Sequence, residues 1–159
     1  TINGKKIRVT NLLGITFMDG KSQNPFEAID EVLANDTSDI HIVDFHGEAT
    51  SEKIALGYYL DGQVSAVLGT HTHVTTADER ILPKGTAYQS DVGMCGPYES
   101  VIGCDKELII KRMKTGVMTP FVVAESEGQF HATLLTFNQE NQCTQIKRIC
   151  IDPAHPYIA

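Results

Sequence analysis

No apolar run in this 159-residue sequence approaches the roughly 18 residues that cross a bilayer. The opening residues, TINGKKIRVTN, lack the hydrophobic stretch of a secretory signal. With both signals missing, a cytoplasmic protein is the expectation. Basic residues are in short supply: 13 Lys and Arg against 20 Asp and Glu leave a net charge of −7. That balance argues against a surface that grips nucleic acid through its phosphates. It leaves room for a small phosphorylated substrate, because bound divalent cations reverse the local sign. Cysteine is sparse and scattered. Cys95, Cys104, Cys143 and Cys150 form no close C-x-x-C pair, which excludes a zinc ribbon and a disulfide framework and leaves reduced, packed thiols. Repeats, low-complexity tracts and linkers are also missing. A chain with 42% apolar and 21% charged residues then fits one ordinary globular domain. The first residue is not methionine, and a strand pattern begins almost at once at Ile7, as it can in a whole domain or in a fragment whose earlier half has been removed.

What is present reads as α/β. Residues 6–11 (KIRVTN) alternate and predict a strand entering a loop, and residues 17–23 are polar and turn-rich. Asn24-Pro25 predicts a helix start, with Asn24 as cap and Phe26, Ile29, Val32 and Leu33 on one face. Residues 40–45 (IHIVDF) read as a buried strand, and a helix follows with Thr50 or Ser51 as cap and Gly62 just past its end. Residues 64–68 (VSAVL) supply the next strand, so strand, helix and strand form a βαβ unit with parallel strands. Further strands are predicted over 80–82, 87–91, 121–124, 129–137 and 142–151, with a helix over 106–114. ESEG (125–128) and NQEN (138–141) read as hairpin turns, and the tail from residue 153 as a surface extension.

In open α/β sheets, functional groups gather beyond the carboxyl ends of the parallel strands. Both parallel strands here run into histidine: IHIVDF delivers His46, and VSAVLGT delivers His71 and then His73. In an extended segment residues i and i+2 share a side, so His71 and His73 are expected to face one site together. Imidazole is the commonest transition-metal ligand near neutral pH, which makes the three a candidate metal set. Thr70, Thr72, Thr75 and Thr76 surround the pair as candidate hydrogen-bond partners. Asp44 shares the strand parity of His46 and could orient its ring. Glu52 is expected to serve its helix dipole, and Glu48 has only proximity in its favour. His41, His131 and His155 are expected to be structural.

Three runs, VDFHGEATSEK (43–53), YLDGQVSAVLGTHTHVTTAD (59–78) and RILPKGTAYQSDVGMCGPYESVIG (80–103), resemble the YmdB-like family of metallophosphoesterases. These are bacterial calcineurin-like enzymes that hydrolyse phosphodiesters, cyclic nucleotides included. The likeness runs from near Lys5 to about Ile151. GTHTH is shared in form with the wider superfamily, whereas VDFH…ATSEK is more particular. The resemblance implies a four-layered α/β/β/α sandwich of mixed sheets with two metal ions (iron, manganese or zinc) at the strand ends. His46 and His71 then match ligands of one ion, and His73 matches a ligand of the other. The implied chemistry is hydrolysis by a hydroxide that the two ions activate, with a protonated histidine assisting the leaving oxygen.

Family members also carry an aspartate on the first strand, a bridging carboxylate with a neighbouring asparagine, and a G-N-H element. None of these stands in this sequence, so residues 1–159 resemble the C-terminal portion of such a domain. No catalytic residue is assigned within it. Each ion needs roughly four to six ligands, more than three histidines supply. The expectation is an active parent enzyme acting on phosphodiesters, cyclic nucleotides or RNA-derived phosphates, with little activity in this chain alone. An uncovered apolar sheet edge would favour self-association into a homo-oligomer. Three other readings compete: a non-catalytic metal-binding or regulatory module (or an inactive fragment), a metal hydrolase acting on an amide or ester, and a thiol nucleophile at Cys95. The last is weakest, because nothing in the sequence supplies its base.

Overall fold

The computed structural model describes residues 1–18, 20 and 23–157. Residues 19, 21 and 22 of the expected polar turn, and the last two of the expected tail, lie outside the described residues. The elements run β1 (Ile7–Leu13), α1 (Pro25–Leu33), β2 (Ile40–His46), α2 (Thr50–Tyr59), β3 (Ala66–Thr70), β4 (Arg80–Ile81), β5 (Ala87–Gln89), β6 (Gly96–Pro97), α3 (Lys106–Thr115), β7 (Gly128–Phe137) and β8 (Cys143–Ile151). One five-stranded sheet has the order β1-β2-β3-β5-β4, and a three-stranded sheet the order β6-β7-β8. In the first, β1, β2, β3 and β5 are parallel and β4 is antiparallel, so the fold is α/β with a mixed sheet. Two compact units result: Thr1–Gly93 with Thr133–Arg148, and Met94–Ala132 with Ile149–Ala159. No described helix is long and apolar enough to cross a membrane.

Period-two alternation explains how the first unit fills both faces of its sheet. Val43 and Phe45 of β2, Val67 of β3 and Tyr88 of β5 point to one face, against Ile29 of α1 and Leu56 of α2. Each of these is essentially withdrawn from solvent, worth about 1.5–3 kcal/mol per large apolar side chain. Ala66 and Ala87 point to the other face. There they meet Cys143, Leu135, Phe137 and Ile146. The small alanines let that second layer approach closely.

Helix ends follow the sequence in two cases and depart from it in one. The Asn24 side chain accepts the Phe26 N–H at 3.0 Å with Pro25 in the first turn, and Asp105 accepts the Leu108 N–H at 2.9 Å. Helix α2, expected to be capped by Thr50 or Ser51, instead starts after Ala49 and has no side-chain cap. The strand expected over 121–124 is also absent; Val123 makes a single bridge to Cys104, and Pro120 ahead of the segment has no N–H to pair. The two-residue β6 went unseen because Gly-Pro carries no strand signal.

His41, on β2, is buried at 4% exposure. Its Nδ1 lies 2.7 Å from Asp36 Oδ2, and its Nε2 lies 2.8 Å from Thr10 Oγ1. Burial pulls the imidazole below its ordinary value of 6.5, with Asp36 opposing. The unfolded chain therefore takes up a proton at His41 that the folded protein resists, and this group makes stability fall as pH drops below about 6.5. His41→Gln should flatten the urea-midpoint profile between about pH 7 and pH 5 while lowering stability overall. A profile with unchanged slope would rule out His41 as its source.

Candidate metal centre

Strand β2 ends at His46 and β3 at Thr70, and the two residues stand opposite each other in the parallel register. The backbone locks this end of the sheet: Gly14 N–H donates to His46 O at 2.8 Å, and Val92 N–H to Gly69 O at 2.9 Å. Gly69 permits the approach of the following loop, because a Cβ at that position would collide with the Ser90 carbonyl. Strand pairing and close packing thus carry His46 and the start of the GTHTH loop to one place.

The His46 and His71 rings meet edge to face, with centroids 4.9 Å apart and planes at 80°. His46 Nε2 faces His71 Nδ1 at 3.1 Å. The hydrogen-bond partners of the other two nitrogens define what that contact is. His71 Nε2 lies 2.8 Å from Glu48 Oε2, so it carries a proton and donates it to the carboxylate. His46 Nδ1 lies 3.1 Å from Thr70 Oγ1, whose single proton is donated to Asp44 Oδ1, also at 3.1 Å. The threonine oxygen must then accept, and His46 carries its proton on Nδ1. In the neutral rings, two lone pairs face one another across 3.1 Å, a spacing that a cation between them would suit. Two nitrogens each about 2.0–2.1 Å from one ion, at tetrahedral or octahedral angles, stand about 2.9–3.4 Å apart. The donor set and its spacing therefore suit a transition-metal ion.

The loop after β3 does not continue as an extended strand, so the expected same-side relation of His71 and His73 does not hold. The strand stops at Thr70, and both histidines take positive φ angles, 129° and 65°. Such backbone costs about 1–3 kcal/mol per residue and persists only where surrounding contacts dictate it. The contacts come from a buried ion pair. Lys53 Nζ donates to Thr70 O at 3.2 Å and to Asp91 Oδ2 at 3.1 Å. The same Asp91 oxygen accepts the N–H of Thr72, between the two histidines, at 2.9 Å. The protein thus brings His46 and His71 into direct contact. His73 stands two residues further along the same loop, exposed at its surface.

Several neighbours differ from expectation. Glu48, which had only proximity in its favour, engages His71 directly. Glu52 stands in the first turn of α2 as expected and, buried, also accepts the N–H groups of Ile15 and Thr16 at 3.1 and 3.2 Å, which ties the β1–α1 loop to α2. Among the threonines, Thr70 touches an imidazole, while Thr75 and Thr76 engage Gln89 and Asp91. In the second unit, the exposed Cys95 donates weakly to the His131 carbonyl at 3.5 Å. Lys53 and Asp91 lie in the runs that carry the family resemblance and Asn11 ends the first strand pattern, but none of the three was given a role in the sequence. Among the described residues, no three His, Cys, Asp or Glu side chains are grouped so as to hold an ion; Glu48, His71 and His46 form a line.

The sequence profile of the YmdB-like protein family matches residues 1–149. The chain is 48% identical over 158 residues to a Bacillus subtilis protein named 2',3'-cyclic-nucleotide 2'-phosphodiesterase, covering 98% of this chain and 60% of the relative. Two solved structures share its fold. A hypothetical protein of Thermus thermophilus is 44% identical with a TM-score of 0.90, over 95% of this chain and 59% of the other. A phosphatase of Mycoplasma pneumoniae is 41% identical with a TM-score of 0.88, over 98% and 57%. The chain spans about three fifths of the length of these relatives.

Lys53→Met keeps the apolar stem but leaves the buried Asp91 charge without its cation. It should destabilise the protein by about 3–5 kcal/mol in urea or guanidinium unfolding. A loss below about 1 kcal/mol would show that the loop is held by something else.

Proposed function

Because the chain belongs to the YmdB-like protein family, we propose that the whole protein is a metal-dependent phosphoesterase acting on phosphodiesters such as 2',3'-cyclic nucleotides or RNA-derived phosphates. The observation that carries this reading is the approach of His46 Nε2 to His71 Nδ1 at 3.1 Å, each ring offering a lone pair. The name of the Bacillus subtilis relative supports the substrate class.

In this proposal His46 and His71 hold one ion and His73 contributes to a second. Bound together, two such ions lower the pKa of a water molecule and neutralise charge that builds on the phosphoryl oxygens. Glu48 fixes the His71 ring by accepting its Nε2 proton, which leaves Nδ1 as the ligand atom. The Lys53–Asp91 pair sets the path of the loop and so the direction in which both histidines leave the backbone. Three neutral imidazoles do not complete two coordination shells, so further ligands and the general acid come from residues beyond these. A four-layered α/β/β/α arrangement belongs to the same proposal. Ile7, Val9 and Leu13 leave an apolar face on β1 at 37%, 66% and 47% exposure, which a second sheet would cover.

A second reading is a metal-binding module without turnover, favoured by the lack of a third ligand beside His46 and His71 among the described residues. Elemental analysis and phosphodiester hydrolysis on the full-length protein separate the two. His71→Ala should lose one ion per chain and most of the hydrolysis of a 2',3'-cyclic nucleotide. His131→Ala should keep both. Full activity in His71→Ala would sink the assignment, and metal bound without any hydrolysis in the unmodified protein would establish the second reading.

A further inference from the structure

Four polar side chains lie on one face of the sheet at the carboxyl ends of three strands: Asn11 of β1, Asp44 and His46 of β2, and Thr70 of β3. The register sets Asn11 beside Asp44 and His46 beside Thr70, so two rungs of the ladder carry the whole set. Asn11 Nδ2 donates to Asp44 Oδ2 at 2.9 Å. Thr70 Oγ1 donates to Asp44 Oδ1 at 3.1 Å, and His46 Nδ1 lies 3.1 Å from the same threonine oxygen. Both carboxylate oxygens of Asp44 are therefore occupied within the sheet.

We propose that Asn11, Asp44 and Thr70 form a positioning relay that fixes the tautomer of His46 and so selects Nε2 as its ligand atom. A neutral imidazole can carry its proton on either nitrogen, and the choice follows the partner of the other one. Asp44 can only accept, so it takes the threonine proton. Thr70 can then only accept, so it holds the His46 proton on Nδ1. Asn11 donates to the far oxygen of Asp44 and keeps the carboxylate turned towards Thr70. None of the three would itself be a ligand; each acts through His46. The inference rests on the reading of His46 as a metal ligand, but the tautomer is a property of the protein without metal.

The relay is tested in the full-length protein by reading the His46 side-chain nitrogens by 15N NMR in the metal-free form. Zinc affinity is measured in parallel by competition with a chelator. The unmodified protein should show His46 protonated on Nδ1. Thr70→Val removes the hydroxyl with little change of shape; it should release the proton towards Nε2 and weaken zinc binding by about 10–100-fold. Thr70→Ser restores the hydroxyl and should restore both readouts, which a role in packing alone would not require. Asp44→Ala attacks the relay from the other end and serves if Thr70→Val fails to fold. It frees the threonine proton, which can then donate to His46 Nδ1 and move the ring proton to Nε2. If either variant kept the Nδ1 proton and zinc affinity within about twofold of the unmodified protein, the relay would be wrong while the ligand reading stood. If His46→Ala kept its full zinc content, the ligand reading beneath it would fail instead.

Discussion

A lysine ammonium at 2% exposure has to find its partners inside the protein, and the geometry of the candidate site follows from where Lys53 finds them. Its helix, α2, lies between the two strands that deliver the histidines. From there the side chain reaches the last carbonyl of β3 and the Asp91 carboxylate in the loop after β5. Asp91 in turn collects the N–H groups of Thr72 and Gly93. One buried pair therefore joins a helix, a strand end and two loops. Such pairs contribute little net stability against a well-packed apolar substitute, but they are unforgiving of losing one partner. What this pair supplies is direction. It decides where the chain goes after Thr70, and with it where the His71 and His73 side chains begin.

The charge carried by the site is as instructive as its shape. In the proposed site, His46, His71 and His73 would act as uncharged donors, and the nearest aspartate on the sheet, Asp44, is engaged by Asn11 and Thr70. A dication held by such ligands keeps most of its charge. On that proposal, an anionic substrate would meet a local positive field on a chain whose formal net charge is −7.

The sequence made the scaffold legible because its signals were local. Alternating and continuous apolar runs marked β1, β2, β3 and β7, Asn24-Pro25 marked α1, and the βαβ rule made β2 and β3 parallel. The same logic pointed to one sheet end for His46 and His71, and the structure joins them there. The misses share a different cause. Parity arguments treat residues 71–73 as a strand, yet the loop bends under contacts from Asp91, which is distant in sequence. The second role of Glu52, as acceptor for the β1–α1 loop, went unseen because Ile15 and Thr16 stand 37 and 36 residues away. Asn11 and Lys53 matter through partners 33 and 38 residues away, and no window of sequence contains both ends of those contacts.

The backbone of the histidine loop carries a further implication. His71 and His73 hold φ values of 129° and 65°, where glycine would rest without strain and histidine does not. Glycine there would relieve the backbone cost but would also remove the His71 contacts with His46 and Glu48. A search that rewards backbone relaxation alone would place glycine at these two positions and would erase the imidazoles in doing so. Backbone ease and side-chain chemistry pull this loop in opposite directions.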